Sequence, residues 1–92
     1  MRIKYHTEQV EYINATVEYR YTTYYPEDPD GFKVSELIEV LQRIYADKGD
    51  AYIRATRMWV DDMFANNICE VCVCEWKDKQ TVSFDSGRTV YN

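Results

Sequence analysis

Glycine and proline are scarce in this chain, with three and two residues among 92. So little of either leaves no room for a flexible or proline-rich linker, and the length fits one globular domain over residues 1–92. Histidine occurs once, at position 6. There is no Gly-x-Ser-x-Gly elbow and no glycine loop to cradle phosphate, so nothing marks the chain as an enzyme. Basic clusters are missing too. Residues 1–46 carry eight acids and five bases, residues 47–92 eight acids and six bases, for a net charge of −5. A chain without a basic patch lacks the electrostatic footprint for direct binding to DNA, RNA or anionic membranes. No apolar run approaches the ~18–20 residues of a membrane span. The opening stretch MRIKYHTEQ has no apolar region of the kind a signal peptide needs.

Cysteine is confined to three residues in one segment, ICEVCVCEW (68–76). An odd number so clustered makes a poor disulfide framework, and the expected setting is the reducing cytoplasm of a bacterial host cell. What the chain does contain is 46% hydrophobic, 15% aromatic and 29% charged residues, including nine tyrosines. That is a globular profile, and a chain of this size buries roughly two-thirds of its unfolded surface.

Ile3 and Tyr5 alternate with Arg2, Lys4 and His6, which predicts an opening strand. From residue 13 the alternation is long. Ile13, Ala15, Val17, Tyr19, Tyr21, Thr23 and Tyr25 define one face, expected to be buried; Asn14, Thr16, Glu18, Arg20, Thr22 and Tyr24 define a polar one. PEDPDG (26–31) stops the strand, with Pro29 and Gly31 placed for a type I or II turn. A helix follows, with Ser35 as its cap, Glu36 at the positive end of the dipole, Leu37, Ile38, Leu41, Ile44 and Tyr45 at helical spacing, and Gly49 beyond its end.

Residues 50–67 fit two periods. Tyr52, Ala55, Trp59 and Met63 make a helical stripe flanked by Val60 and Phe64, whereas Tyr52, Arg54, Thr56, Met58 and Val60 alternate as in a strand. The stripe persists through Phe64, which favours the helix. Strands are then expected at 68–76, 81–84 and 88–91. The resulting fold class is α+β: a small antiparallel sheet of about five strands with two helices packed on one face, in the order β-β-α-α-β-β-β.

Strand geometry places Cys72 and Cys74 on one face and Cys69 on the other. Together with His6 they number the four ligands of a small Cys3His zinc domain. Zinc-binding pairs sit on turns, however, and no Gly, Pro or Asn separates these sulfurs. The cysteines read instead as small hydrophobes filling both faces of a central strand, with no metal and no cofactor expected. His6 reads as a solvated surface residue, the Asp61–Asp62 pair as ordinary surface charge, and Arg54 with Arg57 as a salt-bridged face.

The tyrosines carry the sharper signal, because tyrosine is stiff, amphipathic and common at binding hot spots. Tyr24 falls on the polar face of its strand, near the acids of the following turn. Glu18, Tyr24, Glu27, Asp28 and Asp30 are therefore the expected partner-binding residues. The profile is that of a small acidic protein-binding module whose partner presents a basic surface, such as a nucleic-acid-processing enzyme. Small acidic proteins of this kind are typical of phage and mobile elements, where anti-CRISPR and anti-restriction inhibitors block bacterial defence enzymes; the likeness lies in size, charge and composition, not in a motif. Net −5 is too sparse to imitate a duplex that carries one charge per ~1.7 Å of axis, so steric occlusion is the expected mode. The alternatives are a homo-oligomeric structural or regulatory domain, possible as a homodimer through a sheet edge, and the small zinc-binding domain.

Overall fold

The structure is a computed structural model that describes residues 1–54 and 67–86. Its elements are β1 (Arg2–Tyr12), β2 (Ala15–Tyr25), α1 (Val34–Lys48), β3 (Tyr52–Arg54), β4 (Ile68–Trp76) and β5 (Lys79–Ser86). The five strands form one sheet in the order β1-β2-β4-β5-β3. β3 pairs parallel with β5, and the other pairs are antiparallel.

The expected fold is corrected on two counts. Among the described residues there is one helix rather than two, and the sheet is mixed rather than antiparallel. Tyr52, Ile53 and Arg54, read as the start of a second helix, form β3 beside Thr81, Val82 and Ser83. Three residues satisfy either period, and a long-range pairing decides between them. The remainder of that expected helix, the Asp61–Asp62 pair, Arg57 and the strand expected at 88–91 lie outside the described residues.

The cysteine-rich run is the middle strand of the five, as its apolar character on both faces implied. Register places Tyr24 beside Val71, Val71 beside Phe84, and Val73 beside Val82. These residues share one face, and α1 lies over it. Val40 and Ile44 of the helix join Tyr24, Val71, Val73 and Val82 in the core, with Ile3, Phe32, Leu37 and Phe84 packed around it. The core stripe of α1 runs through Leu37, Val40 and Ile44, spaced by three and four positions, while Ile38 and Tyr45 point to solvent. A helix resting on one flat sheet needs only a narrow stripe, so the wider one read from sequence overreached.

Helix entry also differs from expectation. Lys33, not Ser35, occupies the N-cap, without a side-chain hydrogen bond. The Glu36 carboxylate instead accepts the Glu27 N–H at 3.1 Å, tying the helix to the preceding turn. At the far end the Gly49 N–H reaches the Tyr45 carbonyl at 2.9 Å with φ +78°. The Gln80 amide donates to the Lys48 carbonyl, and Lys48 Nζ pairs with Glu75 Oε1 at 2.9 Å. One residue thus uses both its side chain and its backbone to fix the helix C-terminus to the sheet.

The 26–31 stretch turns as its composition implied. The Gly31 N–H donates to the Asp28 carbonyl at 3.1 Å, with Pro29 at the second position. Asp30 keeps a negative φ, which makes the turn type I.

Candidate functional site

The five expected binding residues do not form one patch. Tyr24 is 4% exposed and belongs to the core. The alternation assigned it to the polar face, yet that is the face α1 covers. Glu27 pairs with the N-terminal ammonium of Met1, which holds its carboxyl below the usual carboxylate range. The Asp28 carboxylate accepts the Asp30 N–H at 2.8 Å, and the Asp30 carbonyl accepts from the Asn67 amide at 2.8 Å. These acids largely serve their own turn. Glu18 stands apart on β2, seven positions before Tyr25, or about 23 Å along the strand.

Glu18 belongs to a feature that the sequence reading missed. β1 and β2 pair from Arg2–Tyr25 to Tyr12–Ala15, but β2 pairs with β4 only over Tyr19–Tyr24. Four residue pairs therefore continue past the end of β4, at Gln9–Glu18, Val10–Val17, Glu11–Thr16 and Tyr12–Ala15. They form a ribbon roughly 13 Å long, closed by a two-residue turn at Ile13 and Asn14. Between His6 and Arg20 the chain carries Glu8, Glu11 and Glu18 and no Lys or Arg. All three glutamates are exposed, and Ile13 at the tip is fully exposed. Glu11 and Glu18 make the arm acidic, Glu8 lies one pair below it beside Tyr19, and the tip is apolar.

The sheet face opposite α1 carries most of the described aromatic side chains. Register aligns His6, Tyr21, Cys74, Thr81 and Tyr52 in one cross-strand row and Glu8, Tyr19, Trp76 and Lys79 in the next. Rings pack along and across these rows: His6 with Tyr21 at 5.9 Å, Tyr21 with Tyr19 at 6.5 Å, and Tyr19 with Trp76 at 6.0 Å between centroids. The Tyr12 and Tyr19 hydroxyls meet at 2.8 Å, and Arg2 lies 5.1 Å over the Tyr25 ring. Where the arm leaves the sheet, Tyr12, Val17, Tyr19, Trp76, Lys77 and Lys79 line part of a groove of about 540 Å³. This face is the one the sequence reading expected to be buried. In the structure Tyr19, Tyr21, Thr23 and Tyr25 are half-buried on it, and Val17 is its buried member.

The three cysteines are free and half-buried. Cys72 and Cys74 share the aromatic face, and Cys69 falls at a register shift between Ile68 and Glu70. Thr23 Oγ1 donates to Cys72 Sγ at 3.6 Å. Burial pushes the thiols of Cys72 and Cys74 up, away from the thiolate that nucleophilic or metal-binding chemistry requires. Among the described residues no group of three His, Cys, Asp or Glu side chains gathers to hold a metal ion. No helix among them is long and apolar enough to cross a membrane.

Burial raises the phenols of Tyr21 and Tyr24, and the Tyr12 hydrogen bond leads the causes that push Tyr19 up to about 12. Folded-state values raised above the unfolded ones mean that folded protein holds these protons more tightly. Stability is then complete below the ordinary thiol value and is lost as pH rises through the raised values. Urea unfolding is expected to show a level midpoint from neutrality to about pH 8.5, a fall as Cys72 and Cys74 ionise, and a steeper fall above about pH 10. A midpoint unchanged to about pH 11 would contradict this assignment of the buried groups.

No family model matches this chain, and no curated protein or solved structure matches it either.

Proposed function

We propose that this chain is a small, non-enzymatic protein-binding module that inserts its acidic hairpin arm into a basic, nucleic-acid-binding groove of a partner enzyme and blocks that groove sterically. The observation that carries this reading is the arm itself: two exposed glutamates, Glu11 and Glu18, no basic residue between His6 and Arg20, and a fully exposed Ile13 at the tip. A two-stranded ribbon is narrow enough for the ~12 Å major groove of duplex DNA, so a cleft that admits a duplex also admits the arm. The glutamates meet Lys and Arg on the groove walls and steer the encounter, while Ile13 and Tyr12 bury apolar surface at its floor. Small size and net acidity extend the reading to a phage or mobile-element inhibitor of the anti-CRISPR or anti-restriction type, acting in the cytoplasm of the bacterial host cell. The partner-binding residues become Glu11, Ile13 and Glu18, and the 27–30 turn serves the fold.

The test is capture from nuclease-treated bacterial lysate with tagged protein, followed by mass spectrometry. A nucleic-acid-processing enzyme retained at low salt and released at high salt is expected. Capture of that enzyme should be lost with the Glu11→Lys/Glu18→Lys double variant and weakened by Ile13→Asp. Both variants should keep the wild-type urea midpoint, because the residues are exposed. Undiminished capture by the double variant would refute the arm as the binding element.

A further inference from the structure

β1 has one strand neighbour among the described residues, β2. It runs for 11 residues without proline, glycine or bulge. The opposite edge strand, β3, has three residues. A long regular edge invites pairing unless something guards it, and the usual guards are proline, a bulge or charge. Here the charges are segregated. Arg2 and Lys4 lie in the first half of β1, and Glu8 and Glu11 in the second. Parallel pairing of two copies would set like charges side by side. Antiparallel pairing sets the basic half of each against the acidic half of the other.

The hairpin determines which backbone groups are available. A two-residue turn closes on a hydrogen-bonded pair, here Tyr12 and Ala15. Counting back, the even residues of β1 bond to β2. Ile3, Tyr5, Thr7, Gln9 and Glu11 therefore turn their N–H and C=O groups toward the free edge. A continuous sheet with a two-fold axis normal to it keeps each face on its own side, so even residues oppose even residues.

We infer that β1 pairs antiparallel with β1 of a second copy of this chain, about a two-fold axis at His6, with Lys4 of each copy opposite Glu8 of the other. In this register Ile3 bonds with the second copy's Gln9 and Tyr5 with its Thr7. The Lys4–Glu8 pairs fall at the closer, non-hydrogen-bonded positions, where Cα atoms approach to about 4.5 Å. The two Tyr5 rings, each 75% exposed in the single chain, become diagonal neighbours on one face. Moving the axis to Thr7 would set Lys4 against Val10 and lose both charge pairs. The contact is small for a protein interface, so it associates in the micromolar range. Antiparallel pairing directs the two acidic arms to opposite ends of one sheet of twice the width. This dimer stands independently of the partner-blocking reading, and its test contains no partner protein.

Sedimentation velocity over rising micromolar concentrations is expected to show a monomer–dimer equilibrium. Lys4→Glu or Glu8→Lys alone creates two like-charge oppositions per dimer and should weaken association by about tenfold or more. The Lys4→Glu/Glu8→Lys exchange should restore it. A second readout fixes the register. His6→Cys places two cysteines across the axis at a spacing that a disulfide spans, so mild oxidation should give a covalent dimer absent from wild type. Lys4→Cys places its sulfurs four positions apart along the strands and should give none. A protein monomeric at every concentration, a dimer indifferent to both single reversals, or a dimer that His6→Cys fails to cross-link would overturn the proposal.

Discussion

Tyr24→Ala is expected to lower the unfolding free energy by about 3–5 kcal/mol, the range for deleting a large aromatic side chain from a core. The ring is 4% exposed and packs in one cluster with Val40 and Ile44 of α1 and with Val71, Val73 and Val82 of the sheet. Val40 and Val71 are fully buried, so the neighbours have no outward surface from which to collapse into the void. Small domains are stable by about 5–15 kcal/mol, and losing several of these brings the variant near its unfolding midpoint at ambient temperature. Tyr24→Phe keeps the packing and should cost far less. Urea titration with the folded fraction followed by circular dichroism measures both. A loss below about 1 kcal/mol for the alanine variant would return Tyr24 to the surface, where substitutions cost within ±0.5 kcal/mol.

Gly31→Ala comes next, with an expected loss of about 2–4 kcal/mol. Two causes add. Gly31 has φ +129°, a conformation that side-chain-bearing residues rarely adopt, and a Cβ there would lie 2.7 Å from the Asn67 Cβ and 3.0 Å from the Ile68 carbonyl oxygen. Neither neighbour is the free end of a flexible side chain. Asn67 directly precedes β4 and Ile68 opens it, where the Phe32 N–H bonds to the Ile68 carbonyl at 2.8 Å. Relief of the clash would pull the 26–33 loop away from the middle strand. Gly49 supplies the control. Its φ is +78° with open space around a Cβ, so Gly49→Ala carries conformational strain alone, about 1 kcal/mol. Equal losses at the two positions would show that the close approach at Gly31 contributes nothing.

The elements that were legible in the sequence announce themselves through local chemistry. α1 has its apolar spacing and a glycine after its last turn, and it begins two residues ahead of its expected start. ICEVCVCEW is apolar on both sides and takes the central position. Asp28-Pro29-Asp30-Gly31 turns as such a tetrapeptide does. Other elements depend on partners distant in the chain. Tyr52–Arg54 suits either period, and its strand exists because β5 lies beside it. Ile13 and Asn14 form the hairpin turn without the Asn-Gly or Asp-Gly that marks tight hairpins, so β1 and β2 do not separate cleanly on reading. The faces of β2 were inverted for a related reason. A run of tyrosines resembles a core stripe, yet the helix lies over Thr22 and Tyr24, and the larger aromatic set stacks on the opposite face. Of the expected binding residues, Glu18 alone falls on the arm. The acids were visible in sequence, but the projection of the ribbon past β4 is a matter of strand length, which composition does not encode.

The middle strand of the sheet arrives late in the chain. Tyr24 and Val71 pair across 47 positions, and Tyr19 and Trp76 across 57. During synthesis the β1–β2 hairpin and α1 leave the ribosome before most of their shared core exists, since the strand that joins them begins twenty positions after the helix ends. Local contacts form early, but the core waits for one long loop closure, whose entropic penalty grows only slowly with length yet must be met before any core valine is buried. Folding is therefore gated by the last third of the chain. Any nascent fragment ending before residue 68 presents its tyrosine-rich hairpin to solvent without β4 beside it, and the interval until β4 emerges is when this protein is most open to aggregation and to chaperones.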